Sequence, residues 1–158
     1  MTTLDSRTTT TSRLRQIDAR GPRFAAAITV VVLAATLLTI DSTLSVVLLS
    51  IQTIAFALGS LIGLQAQPYG ILFRTLVRPR LAPPTKLEDV APARFAQTVG
   101  LAFAVVGLIG LLTGVTVVAY VAVGFALAAA FLNAVFDYCL GCEMYLLGKR
   151  VLGSRVAA

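Results

Sequence analysis

The sequence contains no histidine and no tryptophan, and only 13% of its 158 residues are charged. The lack of histidine removes the commonest general base and metal ligand from any candidate site. The low charge is equally informative, because an ordinary soluble domain carries about 25% charged residues. With 58% hydrophobic residues and a mean hydropathy of +0.90, the composition predicts an integral membrane protein.

Four stretches without charge approach the length of about 20 residues that crosses a bilayer as a helix. They cover residues 24–40, 43–64, 95–112 and 116–136. Helices are required because an isolated strand in lipid leaves its backbone groups unpaired. A cleaved signal peptide is the alternative for the first stretch, but a long segment precedes it and no Ala-x-Ala pattern follows Ile40. We therefore predict an all-α membrane protein with four transmembrane helices.

The basic residues indicate the orientation of these helices. All 13 lie before the first stretch, between the second and third, or after the fourth: Arg7, Arg13, Arg15, Arg20, Arg23; Arg74, Arg78, Arg80, Lys86, Arg94; Lys149, Arg150, Arg155. The positive-inside rule assigns these segments, and so both termini, to the cytoplasm. Topology and attraction to the anionic bilayer surface account for the net charge of +6, and we predict no nucleic-acid binding.

The two halves of the chain match when Asp18 is aligned with Asp89. In this alignment Arg23, Phe24, Ala25 and Gly70 fall on Arg94, Phe95, Ala96 and Gly141. Each half holds two helices, an even number, so both halves have the same orientation in the membrane. We predict a parallel repeat of two helical hairpins that pack as a four-helix bundle. Coincidence among apolar residues is the alternative.

These features divide the chain into five segments. They are a disordered cytoplasmic tail (1–16), a first hairpin (17–65), a cytoplasmic loop (66–93), a second hairpin (94–150) and a C-terminal tail (151–158). Between Pro68 and Leu81 apolar residues alternate with arginines, which predicts a short amphipathic helix in the membrane interface. This helix is an elbow between the hairpins or, alternatively, a docking surface for a soluble partner.

Cys139 and Cys142 are the only cysteines, in the sequence Cys-Leu-Gly-Cys just after the fourth stretch. On a helix they share one face, and in a turn their sulfurs approach disulfide distance. Such a pair can cycle between dithiol and disulfide or carry sulfur as a persulfide. It can also supply half of a zinc or iron–sulfur site whose other ligands come from a partner. The alternative is that both are inert, small apolar residues.

Charged neighbours bear on the redox interpretation. Asp137 and Glu143 are expected to raise the pKa of both thiols, whereas Arg23, Arg94 or Lys149 would oppose them if the fold brings them close. A permanent structural disulfide is not expected, because the cytosol is reducing.

Two further polar clusters precede the first and third helices. Asp18, Arg20 and Arg23 form one cluster, and Asp89 and Arg94 form the other. A structural role is favoured, because acids stabilise helix N-termini and arginines anchor the interface. A two-fold related site for an anion or a partner is the functional alternative.

Three separated motifs resemble the bacterial membrane family known as domain of unknown function 4395. They are Asp18-Ala19-Arg20-Gly21-Pro22-Arg23-Phe24, Pro68-Tyr69-Gly70 with Arg-Pro-Arg at 78–80, and Cys139-Leu140-Gly141-Cys142-Glu143-Met144-Tyr145. The family's usual Asp-Pro-Arg reads Asp-Ala-Arg here. The resemblance implies a small protein of the bacterial cytoplasmic membrane with a Cys-x-Gly-Cys motif and no established activity. It also implies thioredoxin-like or sulfurtransferase partners, which favours thiol or sulfur chemistry.

The leading hypothesis is a cytosol-facing dithiol that exchanges thiols or carries sulfur with a soluble partner. The alternatives are a structural or assembly subunit of a membrane complex, including a homo-oligomer, and a carrier of small sulfur anions. Gln52 and Asn133 are strongly polar residues within the four stretches, but no stretch contains an Asp, Glu, Lys or Arg, which argues against a proton-coupled pump. No cofactor is predicted, and the sequence does not decide whether the protein is an enzyme.

Overall fold

The computed structural model describes the backbone of residues 16–156 and the side chains of residues 16–153. The elements are β1 (Gln16–Asp18), α1 (Arg20–Leu38), α2 (Thr43–Ala57, continued by the π-helical turn Leu58–Ile62), α3 (Pro68–Leu72), β2 (Leu87–Asp89), α4 (Val90–Leu112), α5 (Thr116–Phe136) and α6 (Leu140–Val156). Apart from Gln16, the predicted disordered tail of residues 1–16 lies outside the described part of the chain.

Four helices within the described residues are long and apolar enough to cross a membrane. They are α1, α2 with its π-helical turn, α4 and α5. The prediction of an all-α membrane protein with four spans is therefore confirmed. α1 and α4 begin earlier than predicted, at Arg20 and Val90. Each predicted span starts after an arginine, whereas Arg23 and Arg94 both lie within the first turns of their helices.

A two-stranded antiparallel ribbon joins the start of α1 to the start of α4. In β1 and β2, Gln16 lies opposite Asp89, Ile17 opposite Glu88 and Asp18 opposite Leu87. No strands were predicted from the sequence, because three-residue strands are too short to show a hydrophobic alternation. The ribbon places the first described residues and the end of the central loop at the same end of the bundle.

The register of the ribbon is symmetric under the predicted alignment of the two halves. The alignment maps residues 16–18 onto 87–89, so the pairing has its centre at Ile17 and Glu88. The helix packing has the same symmetry, because α1 packs on α5 and α4 packs on α2. The duplication remains a prediction, and these pairings support it.

The bundle interior is apolar where the four spanning helices meet. Leu33, Leu49, Phe56 and Val123 pack there with small residues such as Ala104. Large apolar side chains also cover the outer faces, where Val31, Val117 and Phe125 are exposed. Such an outer surface is stable against lipid but not against water.

Gln52 is the largest of the fully buried polar side chains in the bundle interior. Its Nε2 donates to Thr29 Oγ1 on α1 at 3.3 Å, and its Oε1 accepts from the hydroxyl of Tyr69 on α3 at 2.9 Å. A buried amide without such partners would lose its hydrogen bonds to water without compensation. The Gln52 side chain therefore attaches α3 to the bundle.

α3 lies in the segment for which an amphipathic helix is predicted. It is continued by a π-helical turn, Phe73–Val77, and a 3₁₀ turn, Arg78–Arg80. The ring of Phe73 is buried and lies 5.7 Å from that of Phe24 on α1, with the two rings tilted by 45°. The position of this segment in the membrane interface remains a prediction.

The helix α6 follows the fourth spanning helix, where the sequence left open whether the cysteines lie on a helix or in a turn. The predicted tail of residues 151–158 begins inside this helix, which runs to Val156. The apolar residues Leu146, Leu147 and Val151 recur at helical spacing, and Lys149 and Arg150 interrupt them. This pattern continues the helix past residue 150.

Candidate dithiol site

Cys139 occupies the N-cap position of α6. Its carbonyl oxygen accepts the backbone N–H of Glu143 at 3.0 Å, which is the first hydrogen bond of the helix. Its sulfur accepts the backbone N–H of Cys142 at 3.3 Å. Helices normally begin with an oxygen-bearing side chain that accepts this third N–H, and here a sulfur takes that role. The spacing of the two cysteines thus allows Cys139 to cap the helix whose first turn contains Cys142.

A tight turn before Cys139 separates α5 from α6. Asp137 ends α5 in the left-handed conformation with φ of 55°, a conformation that Asp adopts more readily than most residues. The Asp137 carboxylate is held by Lys86 Nζ at 3.2 Å and by Arg23 Nε at 3.7 Å. These contacts tie the turn to the segment before β2 and to the start of α1.

Gly141 places the site directly against α4. A Cβ atom at this position would lie 2.6 Å from both Cα and Cβ of Ala96, a distance that packed atoms do not adopt. The neighbouring contact between Phe95 and Tyr145, with ring centroids 5.8 Å apart, holds α6 on the same face of α4. The glycine between the cysteines is therefore needed for close helix packing.

The two thiols differ in acidity. The pKa of Cys139 is lowered, chiefly because the Cys142 thiol donates a hydrogen bond to its sulfur, while burial and the charge of Glu88 oppose the shift. The pKa of Cys142 is raised by that same hydrogen bond, by burial, and by the charges on Cys139, Glu88 and Glu143. The first proton to leave the pair thus comes from Cys139, and Cys142 keeps its own. A helix N-terminus also favours a thiolate.

The carboxylates near the thiols are only partly those predicted. Glu143 acts on Cys142 as expected, whereas Asp137 forms ion pairs with Lys86 and Arg23. Glu88, which acts on both thiols, was missed because it is far from Cys139 in sequence and the ribbon brings it close.

The cations predicted to offset these acids are engaged elsewhere. Arg23 contacts Asp137, and Lys149 lies 5.7 Å from the centre of the Tyr145 ring. Arg94 donates to the carbonyl oxygens of Ser60 and Leu61 at 2.7 and 2.8 Å. The thiolate is thus favoured by hydrogen bonds and the helix end rather than by a paired cation.

The side chains of the two polar clusters contact or cap helix ends. The Asp18 carboxylate accepts from the backbone N–H and the guanidinium of Arg20, which lowers the pKa of Asp18. Arg23 donates to the carbonyl of Ala134 near the end of α5 at 3.4 Å, just as Arg94 binds the end of α2. Asp89 occupies the N-cap position of α4. These contacts favour a structural role for both clusters over a site for an anion or a partner.

A cavity of about 510 Å³ opens beside the dithiol and extends into the bundle. Both cysteines and Glu88 line one end, and Thr29 and Phe56 line the other. The volume lies in the range of about 300–1,000 Å³ that is usual for small-molecule sites. Nothing in the hydrophobic pattern reveals such a cavity, because it depends on how small residues of different helices face each other.

The described side chains provide no third ligand for a metal site at the cysteine pair. Among them, no group of three or more His, Cys, Asp or Glu residues is placed to hold a metal ion. That a metal site here would take its other ligands from a partner or a second copy stays a prediction.

Comparison with known proteins identifies a family for this chain but no activity. No curated protein and no solved structure matches the chain. The model of a family described as "Domain of unknown function (DUF4395)" matches residues 17–150, which include most of the ribbon, all four spanning helices and both cysteines. The chain is a member of the DUF4395 family.

Proposed function

We propose that this membrane protein exchanges thiols and disulfides with a soluble partner through Cys139 and Cys142. The observation that carries the proposal is the asymmetry of the pair: the Cys139 sulfur accepts the N–H of Cys142 at a helix N-terminus. The attacking species in such exchange is the thiolate, so a lowered pKa assigns the attack to Cys139. Cys142, whose pKa is raised, is the resolving thiol.

The exchange proceeds in two balanced steps. The Cys139 thiolate attacks one sulfur of a partner disulfide, and the other partner sulfur leaves as a thiolate. Cys142 then loses its proton and attacks the Cys139 sulfur, which releases the second partner thiolate and leaves a Cys139–Cys142 disulfide. The partner gains two electrons, and the protein pair loses them. A thioredoxin-like protein supplies such a disulfide. A sulfurtransferase persulfide would instead pass its outer sulfur to the Cys139 thiolate, and the sulfurtransferase cysteine would leave as a thiolate.

The proposed location is the cytoplasmic face of the bacterial cytoplasmic membrane. The contact between Arg23 and Asp137, together with the ribbon, gathers the start of α1, the end of the loop and the dithiol at one end of the bundle. The basic residues of the described chain lie outside the charge-free stretches on this side, which the positive-inside rule assigns to the cytoplasm.

Labelling with a membrane-impermeant maleimide tests both location and redox state. Intact spheroplasts and inverted vesicles are labelled with and without a mild reductant. The proposal expects labelling only in inverted vesicles, with an increase after reduction. Labelling only in spheroplasts would place the dithiol on the opposite, oxidising side of the membrane. Labelling that a reductant does not increase on either side would contradict thiol–disulfide exchange.

A second candidate is an assembly subunit of a membrane complex or of a homo-oligomer. The exposed apolar face of α6, which includes Leu147 at 62% and Leu152 at 67% exposure, favours it. Stable co-purification with other membrane subunits that persists in Cys139→Ser and Cys142→Ser variants would support this candidate over thiol exchange. Loss of cellular function in the same variants would support thiol exchange.

A further inference from the structure

We propose that the cavity beside the dithiol binds a lipid-soluble quinone, which enters from the bilayer between α4 and α5 and accepts two electrons from Cys139 and Cys142. The inference rests on the proposed thiol exchange, run in the reverse direction: a partner dithiol reduces the Cys139–Cys142 disulfide, and the quinone then oxidises the resulting dithiol again. Three features of the cavity carry it: its depth in the membrane, the wall of side chains that it shares with a groove on the lipid-facing surface, and the polar groups at its dithiol end.

The cavity extends from the dithiol to the middle of the spanning helices. On α5 its lining runs from Asn133 to Phe125, which at 1.5 Å per residue is about 12 Å along the axis. Phe125 lies near the midpoint of this helix, Thr116–Phe136. Ala126 and Ala129, between these ends, leave the space open because their side chains are small. A ligand in this cavity is therefore immersed in the hydrocarbon layer.

A second cavity of about 520 Å³ lies on the outer surface between α4 and α5. Every residue that lines it is apolar, among them Val106, Val117 and Val121. Val117 is 69% exposed on this face, which contacts lipid in a membrane. A ligand dissolved in the bilayer thus meets an apolar groove at this surface.

Val99, Phe103 and Phe125 line both cavities and form the wall between them. The rings of Phe103 and Phe125 are stacked with centroids 6.1 Å apart, and Phe125 is 63% exposed. Rotation of these two side chains would connect lipid with the dithiol, without movement of a helix. The fold thus gives an apolar molecule a lateral route that a water-soluble substrate would not use.

The end of the cavity near the dithiol is more polar than the part that lies deep in the bundle. Asn133 on α5 and Gln97 on α4 line it together with the cysteines. Gln97 accepts the Nε2–H of Gln67 through its Oε1 at 3.0 Å, which directs its own amide N–H groups away from that contact. Amide N–H groups bind the carbonyl oxygens of a quinone ring, while the apolar depth accepts its hydrocarbon tail. An acyl chain of a phospholipid would use the apolar part alone.

Two electrons and two protons balance the reaction. The Cys139 thiolate adds to the quinone ring and forms a carbon–sulfur bond. Cys142, once deprotonated, attacks the Cys139 sulfur, so the disulfide forms as the carbon–sulfur bond breaks and its electron pair remains on the ring. The ring takes up two protons, equal to the two thiol protons released, and leaves as the quinol.

The test uses the full-length protein, fully reduced, in phospholipid nanodiscs, with a short-tailed benzoquinone as the probe. Thiols and quinol are measured in the same sample. The proposal expects one quinol for every two thiols lost, and no quinol from Cys139→Ser or Cys142→Ser. Quinol formed in the Cys142→Ser variant at the wild-type rate, or no quinol in the wild type, would overturn it.

A matched pair of variants locates the site. Ala129→Leu fills the cavity, whereas Ala128→Leu adds the same atoms to the exposed neighbouring position, which lies outside the cavity lining. Gly100 is avoided because a Cβ there would meet the Phe56 ring at 2.8 Å and disturb the core. Overfilling by such groups is expected to slow quinone reduction about tenfold or more in Ala129→Leu and to leave Ala128→Leu unchanged. Equal effects of the two variants would overturn the assignment to this cavity.

Exchange with a small soluble disulfide separates this inference from the proposed function. If the nanodisc protein exchanges with the small disulfide and makes no quinol, the quinone inference falls and thiol exchange stands. If it does neither, both fall. If Ala129→Leu loses quinone reduction but keeps exchange with the small disulfide, the cavity is the quinone site.

Discussion

The sulfur of Cys139 accepts the backbone N–H of Cys142 at 3.3 Å, at the first turn of α6. Because the Cys142 thiol also donates to this sulfur, the pKa of Cys139 is lowered and that of Cys142 is raised. One helix end thus divides two chemically identical side chains into an attacking and a resolving thiol.

A short pulse of iodoacetamide at a series of pH values is expected to modify Cys139 before Cys142. The thiolate of Cys139 forms at a pH below that of an ordinary thiol, since its pKa is lowered, while Cys142 remains protonated. Mass spectrometry of the two sites in the reduced protein gives each rate. Denatured protein is the control, in which the two rates should converge. Equal rates in the folded protein would contradict the asymmetry.

Glu88→Gln is expected to move the alkylation profile of Cys139 to lower pH. The negative charge of Glu88 raises the pKa of both thiols, so its removal lowers both and increases the thiolate fraction near neutral pH. Glu143→Gln is the comparison, because Glu143 acts on Cys142 and should move the Cys139 profile less. A shift of Cys139 to higher pH in Glu88→Gln would refute this electrostatic assignment.

Gly141→Ala is expected to displace α6 from α4 and to destabilise the protein by about 1–3 kcal/mol, the usual cost of overpacking. The added methyl group would lie 2.6 Å from backbone and side-chain atoms of Ala96. Thermal unfolding in detergent measures the loss. Gly148→Ala is the matched control on the same helix, with no atom within 4 Å of the new Cβ. A similar loss of stability in both variants would show that helix geometry, not packing, is responsible.

Tyr69→Phe is expected to cost about 1 kcal/mol, because it leaves the buried Oε1 of Gln52 without its hydrogen bond. Steric-trapping or thermal-unfolding measurements in bicelles give the change in unfolding free energy. Tyr138→Phe, at a side chain that is 47% exposed, should have no measurable effect. The double variant Tyr69→Phe, Gln52→Leu should lose less than the sum of the single variants. Additive losses would argue against the Tyr69–Gln52 contact.

The sequence predicts the number and approximate positions of the spanning helices because charge-free runs identify them: α5 covers residues 116–136 as predicted, whereas α1 and α4 begin earlier. It does not predict the ribbon or the proximity of Glu88, because three-residue strands carry no periodic signal and their pairing is long-range. The ion pair between Asp137 and Lys86 was not predicted either, because these residues lie far apart in the chain. The cysteine pair itself was found from spacing, but its asymmetry depends on where α6 begins.

Trapping of a mixed disulfide tests the central claim most directly. The Cys142→Ser variant, which keeps the attacking sulfur and lacks the resolving one, is incubated in inverted vesicles with an oxidised thioredoxin-like protein. The account predicts a covalent adduct through Cys139 that reductant releases, and no adduct with Cys139→Ser. An adduct that forms only through Cys142, or none with either variant while the thiols remain accessible, would contradict the account.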